Sequence, residues 1–405
     1  MPARGALAAF RVLELGEGVA AAYCARLFAD FGADVIKVES PGEGDVTRRW
    51  GPFPGDAPDP EKSGLFEFLN TNKRGLSLDV ERPEGRALLE RLAARADLVI
   101  EDLPAKRARE LGLEWPALAD ANENLVQVSI TPYGRTGPYA EWKGYDLNAY
   151  HLSAAGHRYC GRPGEAPLEH GTFAAEFFGA VAGATWGLAA ALGRTRAGGG
   201  QHVDVSCSQV IAAVFVGGQN IGAYAQDGKW ERRTGVGMPL GAPATIMPCK
   251  DGHVWMLALE PHQWDGLVHV MGDPEWARAE IFRDMFTRAQ NADLIYAMLE
   301  EWTLSRSKWE IMDQCQANGV PVAAVFDVAE AAEHPHLRER GYVVEVVHPR
   351  LGRVRHLGAP FKLPASPGGP VRPAPLAGQH TDEVLHELLG AGRDECLRLR
   401  AAGVV

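Results

Sequence analysis

Residues 11–39 read RVLELGEGVAAAYCARLFADFGADVIKVE. Arg11–Leu15 is a short apolar run that stops at Gly16, the pattern of a buried strand ending in a tight turn. From Val19 to Phe31 apolar residues recur at helical spacing, and Ala33–Glu39 reads as a second strand. Strand, glycine turn, helix and strand make one βαβ unit, which predicts parallel pairing. The pattern repeats downstream. Residues 83–95 form an amphipathic helix with proline in its first turn, followed by strands at 97–100 and 125–130. The predicted class is α/β, a parallel sheet covered by helices.

At 405 residues, against ~150 per domain, the chain is long enough for two or three compact units. Its 46% hydrophobic and 23% charged residues exclude wholesale disorder and a coiled coil. Lys and Arg number 41 against 52 Asp and Glu, a net charge of −11, so the chain is poorly suited to non-specific nucleic-acid binding and an anionic ligand needs a local basic pocket. The six cysteines are scattered without a CxxC pair. This argues against a zinc site and a disulfide framework and fits a reducing cytoplasm. The N-terminus runs into the first strand without the apolar core of a signal peptide.

From about Gln201 the texture changes. A Gly- and Arg-containing loop at 232–237 is followed by a hairpin pattern at 249–256, helical segments over 280–318 and a strand at 343–347. The Pro-rich 364–375 stretch reads as an extended connection and 381–389 as a terminal helix. Residues 173–192 imitate a membrane span. Glu176 inside the segment, Arg194 and Arg196 just beyond it, and the stripe Gly179, Gly183, Gly187 predict a buried helix instead.

Several groups carry potential chemistry. Gly16-Glu17-Gly18-Val19-Ala20-Ala21 matches GxGxxA, with Glu39 at the end of the next strand, and suggests a dinucleotide site; the same turn also suits any α/β protein. Lys37, Arg48, Arg49, Lys73, Arg74, Arg107, Arg109 and Lys143 are basic residues concentrated early in an acidic chain. Each alone reads as a solvated charge, but the turn-like Asn70–Arg74 cluster is able to offer amide and cationic donors to phosphates. Glu176 follows Thr172, a candidate N-cap, and a helix-start acid complements the helix dipole. In apolar surroundings an idle carboxylate is costly. Gly235-Val236-Gly237 is a candidate source of oxyanion-binding N–H groups, or a loop that needs positive φ. His334-Pro335-His336 lacks a third ligand, so no metal site is expected.

The succession ADVIKVE (33–39), GDVTR (44–48), NKR (72–74), YGRTGPY (133–139), KGYD (143–146) and GGQHVDVS (199–206) resembles the family III CoA-transferases. The likeness continues through NGVPV (318–322), HLRERG (336–341), PFKL (360–363) and GQHTDEV (378–384), so it spans nearly the whole chain. The family includes formyl-CoA transferase, carnitine CoA-transferase and α-methylacyl-CoA racemase.

The resemblance implies a carboxylate nucleophile at Glu176, where the family's transferases carry aspartate, with Gly235 and Gly237 assisting. It implies contacts to coenzyme A from Val19, Ala20, Lys37, Arg48, Asn72, Lys73, Arg74, Asp102, Leu103, Arg109, Lys143, Tyr145 and Asp146, with the phosphates near Arg48, Lys73, Arg74 and Lys143. Tyr145 stands where the racemases have histidine, which demotes racemisation. Where the family often has a Gly or Arg-Pro-Gly after its Glu-Asn-Phe segment, this chain has Glu101-Asp102-Leu103-Pro104-Ala105-Lys106. Trp50, Phe53, Trp142, Tyr145 and Trp230 are candidate acyl-pocket residues or packing aromatics.

The implied architecture is a Rossmann-like large domain from residues 1–200 with a returning segment at 330–405, a smaller α+β domain at 225–325, and an interlocked homodimer. Coenzyme A and acyl-CoA enter as substrates, with no permanently bound cofactor, no metal and no nucleic-acid or membrane partner. Three readings stay open: CoA transfer between acids in the cytoplasm, an acyl-CoA racemase or isomerase, and a catalytically silent CoA-binding subunit of a hetero-oligomer. A dehydrogenase requires NAD to bind where CoA does not.

Overall fold

Six strands pair in parallel in the order β3-β2-β1-β4-β5-β6: β1 (Arg11–Glu14), β2 (Asp34–Glu39), β3 (Arg74–Ser77), β4 (Leu98–Glu101), β5 (Val126–Thr131) and β6 (Gln201–Ser206). The computed structural model describes residues 5–230, 232–233 and 241–405. Leu13 faces Ile36 on one side and Val99 on the other. Val12, Leu13, Ile36, Leu98, Val99 and Ile100 are completely or almost completely buried, as strands covered by helices on both faces must be.

The chain proceeds outward from β1 through β2 to β3, then returns to the other side of β1 for β4, β5 and β6. Connections therefore diverge between β1 and β4, and a crevice opens beyond the carboxyl ends of these two strands.

The helix Ala174–Ala197 packs close to β5. A Cβ at Gly183 would lie 2.7 Å from Ile130 Cδ1, and one at Gly187 2.8 Å from Val128 Cγ2. The glycine stripe is what allows this approach. The prediction of a buried helix holds for this face only, because Val181, Trp186 and Leu192 on the helix are 46%, 63% and 66% exposed. Among the described residues it is the one helix long and apolar enough to cross a membrane.

Two compact units are present. The first comprises Met1–Gly156, Glu169–Trp230 and His336–Val405. It contains the parallel sheet, the hairpin β10 (Val343–His348) and β11 (Gly352–Leu357), and the terminal helices Thr381–Leu389 and Arg393–Ala401. Leu385, Leu388 and Leu399 join the core under β1–β3. The second comprises His157–Leu168 and Glu231–Pro335. It holds the antiparallel sheet β7 (Ala244–Cys249), β8 (Gly252–Leu257) and β9 (Val322–Val325), with helices Pro261–Val270, Ala292–Leu304 and Lys308–Ala317. The predicted hairpin at 249–256 is the β7–β8 pair.

Candidate active site

The turn from β1 into the helix Ala20–Asp30 is shaped by what it leaves out. A Cβ on Gly16 would sit 2.2 Å from Ala21 Cβ and 2.8 Å from Asp102 Oδ1, and Gly18 has φ +122°. Asp102 follows β4. Its Oδ1 accepts the backbone N–H of Glu17 at 2.8 Å and its Oδ2 that of Ala21 at 3.1 Å. The end of β4 thus clamps the turn that follows β1. Burial outweighs both backbone donors and, aided by the charge of Glu176, pushes the Asp102 carboxyl up to about 8.

Glu176 occupies the third position of the helix Ala174–Ala197. Thr172 does not cap this helix; the N-cap position is Phe173, which has no capping side chain. The capping oxygen comes from thirty residues earlier, where Asp146 Oδ1 accepts the Glu176 N–H at 2.8 Å. The Glu176 carboxylate in turn accepts the N–H of Val19, the N-cap residue of the helix Ala20–Asp30. It lies at the N-terminal ends of two helices, where backbone dipoles favour an anion. Burial is the larger effect and Asp146 adds like-charge repulsion, so the Glu176 carboxyl is pushed up to about 7. Asp146 is itself raised, first by burial and then by neighbouring Glu169, against the pull of its backbone hydrogen bonds.

Glu176, Asp146, Tyr145, Asp102, Leu103 and Ala20 line one cavity of about 310 Å³ together with Glu17, Val46, Trp50, Ile130 and Cys207. Trp50, an acyl-pocket candidate, stacks on Phe173 with ring centroids 5.7 Å apart. Burial drives the Cys207 thiol far up, so this sulfur is no nucleophile at neutral pH. A second cavity, about 560 Å³, shares Glu17 and Leu103 with the first and extends past Glu39, Ser40, Asp79 and Arg82, beyond the ends of β2 and β3, to Arg107. Arg82 pairs with Asp79 at 3.0 Å and Arg107 pairs with Glu81.

Arg48, Lys73 and Arg74, expected at phosphates, and Lys37 and Asn72, expected at coenzyme A, line neither cavity. Lys37 and Lys73 are buried beneath the turn, each 2.7 Å from Glu14, and Lys37 also meets Asp45 at 2.6 Å. Lys73 Nζ further donates to Asn70 Oδ1 and to the carbonyl of Ala22. Arg48 grips both oxygens of Glu39 at 2.6 and 2.8 Å, which also removes Glu39 as a ribose acceptor. Arg74 binds Asp34, Glu383 and Glu387, while Asn72 bonds Asp30, the Gly369 carbonyl and the N–H groups of Val371 and Arg372. The Asn72–Arg74 cluster therefore fastens the C-terminal segment to the sheet. Charge types are legible in sequence, but which carboxylate each cation reaches depends on strands β1, β2 and β3 being neighbours. Arg109 is exposed and paired with Glu141 at 2.7 Å. Lys143 is exposed, next to the lining residue Gly144. Gly235 and Gly237 lie outside the described residues.

A family model described as CoA-transferase family III matches residues 7–381. The chain belongs to this family. The family III chain is 31% identical over 396 residues to succinyl-CoA–D-citramalate CoA-transferase of Chloroflexus aurantiacus, covering 98% of this chain and 97% of that one. It is 30% identical over 384 residues to succinate–glutarate CoA-transferase of Agrobacterium fabrum, covering 94% and 95%. A solved structure of a CaiB/BaiF family protein from Brucella suis shares 29% identity and a TM-score of 0.85, over 95% of this chain and all of that one.

Glu17, Asp79, Glu81 and Arg82 of this family III chain line the cavities without having been legible as site residues in the sequence. Their signal was positional: each follows the carboxyl end of a strand, the edge where ligands of open α/β sheets bind. That edge is defined once the strand order is known.

Proposed function

We propose that this family III CoA-transferase moves CoA from an acyl-CoA to a free carboxylic acid through a covalent intermediate on Glu176. The observation that carries the reading is the carboxylate of Glu176, held at two helix N-termini and opening into the cavity at the β1–β4 crevice. The curated relatives, named as CoA-transferases, support the reaction class. A Glu176 carboxylate oxygen attacks the thioester carbon, the C–S bond breaks, and an acyl-glutamyl anhydride and CoA thiolate form. The thiolate then attacks the glutamyl carbonyl carbon, releasing the donor acid as carboxylate and leaving a glutamyl-CoA thioester. An acceptor carboxylate runs the two steps in reverse, and no proton is gained or lost. The Val19 N–H, already on the Glu176 carboxyl, is placed to hold the oxygen that becomes negative at each tetrahedral stage.

Coenzyme A enters as substrate. The second cavity is the candidate place for its nucleotide end, with Arg82 and Arg107 as the cations at hand. Glu176, Val19, Asp102, Leu103, Tyr145 and Asp146 remain in the reading, whereas Lys37, Arg48, Asn72, Lys73 and Arg74 act through the fold beneath the site. An interlocked homodimer in the cytoplasm completes it; the exposed apolar side of the helix Ala174–Ala197 and six unbridged cysteines are its supports.

Incubation with acyl-CoA donors and intact-mass measurement tests the proposal. A CoA-sized adduct, mapped to the Glu176 peptide and absent in Glu176→Gln, is the expected result. The neighbouring carboxyls of Glu176 and Asp146, both raised towards neutrality, favour proton exchange α to the thioester as a second reading. Loss of α-deuterium without an acceptor acid and without any adduct selects it.

A further inference from the structure

The cavity that holds Glu176 has an uneven chemistry. Four acidic residues line it, Glu17, Asp102, Asp146 and Glu176, and among the described residues no Lys, Arg or His does. Most of its remaining wall is apolar, with Val46, Trp50, Leu103, Ile130 and Pro132 as its larger members beside Tyr145. The cations nearest in the fold are already committed: Lys37 and Lys73 are sealed against Glu14 and Asp45 with no exposure, and Arg107 sits in the adjoining cavity on Glu81. Lys143 is exposed and is not a lining residue.

From this lining we infer that the acyl group handled at Glu176 is apolar and uncharged, so that the substrates are esters of aliphatic or aromatic monocarboxylic acids. The inference rests on Glu176 being the reacting carboxylate. A reacting acid needs one carboxyl, which becomes the thioester carbonyl and loses its charge. A second carboxylate on the acyl chain would stay ionised beside four acidic residues, with no lining cation among the described residues to answer it. Burial, the largest cause in each case, already drives Glu176, Asp102 and Asp146 towards protonation, so the cavity disfavours ionised carboxyl groups. An alkyl or phenyl tail meets no such opposition and covers apolar wall. Succinyl and glutaryl groups are thereby disfavoured in this chain.

A matched pair isolates the charge. S-pentyl-CoA and S-(ω-carboxybutyl)-CoA have tails of similar length, one ending in methyl and the other in carboxylate, and neither thioether has a carbonyl for Glu176 to attack. Calorimetric titration of the wild-type chain should show the pentyl compound binding at least about tenfold more tightly. Equal binding, or tighter binding of the carboxylate, overturns the inference. The reactive counterparts, valeryl-CoA and glutaryl-CoA, separate it from the transfer reading. Faster adduct formation from valeryl-CoA supports both. A binding preference of that size with no adduct from either donor defeats covalent transfer and leaves the acyl preference standing, whereas an adduct that forms as fast from glutaryl-CoA defeats the preference and leaves transfer standing.

Discussion

The carboxylate of Asp146 accepts the backbone N–H of Glu176 at 2.8 Å, so one side chain both caps the helix Ala174–Ala197 and places a like charge beside the candidate nucleophile. The two effects have opposite consequences. Capping fixes where the helix begins, and hence where the Glu176 carboxyl points; the charge makes that carboxyl harder to ionise.

Asp146→Asn keeps a capping oxygen and removes the charge. The pH midpoint for adduct formation should fall by about one unit, while Asp146→Ala should also lose roughly 1 kcal/mol of stability with the cap. Intact-mass kinetics across pH and urea denaturation read the two effects separately. An unmoved midpoint in Asp146→Asn would remove Asp146 as a cause of the raised Glu176 value.

In the wild-type chain, the anion of Glu176 is the attacking species and its carboxyl is held up to about 7. The rate of adduct formation should rise through neutral pH and level off about one to two units above the midpoint. A rate already flat at about pH 5 is incompatible with this environment for Glu176.

Stability should run the other way. The folded chain holds the Glu176 proton more tightly than the unfolded chain, so between the ordinary glutamate value and about 7 the folded state binds more protons and loses stability as pH rises. Glu176→Gln removes that loss. It should be more stable than wild type by about 2 kcal/mol near pH 8, and close to it near pH 4. Urea midpoints at the two pH values decide this.

On the long helix, position decides the sign of a glycine substitution. Gly183→Ala drives a methyl to within 2.7 Å of Ile130 Cδ1 and should destabilise by ~1–3 kcal/mol. Gly193 has open space around its Cβ position, so Gly193→Ala should stabilise by up to ~1 kcal/mol through helix propensity. Thermal unfolding of the pair gives shifts of opposite direction if the stripe is a packing device.

The buried cations should behave as part of the fold. Lys37→Met leaves the buried Asp45 without its cation and Glu14 with Lys73 alone and should cost about 3–5 kcal/mol. Arg107→Ala, at a partly exposed pair with Glu81, should leave stability within about 0.5 kcal/mol and weaken binding of CoA esters. Denaturation and ligand titration on both variants expose any exchange of these roles.

The βαβ start, the parallel sheet and the glycine stripe were legible because hydrophobic period and glycine placement are local properties. The basic residues misled for the opposite reason. Arg48, Lys73 and Arg74 look like phosphate ligands until β1, β2 and β3 are placed side by side, whereupon Glu39, Glu14 and Asp34 take them up. Thr172 misled likewise: it stands at capping distance in sequence, but Asp146 arrives from another helix.

By itself the sequence determined the fold class, the family and the candidacy of Glu176, since these rest on residue order and short-range pattern. Tertiary structure alone decided what surrounds that carboxylate: Val19 from the turn after β1, Asp102 from the end of β4 and Asp146 from thirty residues upstream. The physical reason is the strand order. It brings chain ends together at the β1–β4 crevice, and the charge, burial and hydrogen bonds that set the site's chemistry act through space between residues far apart in the chain.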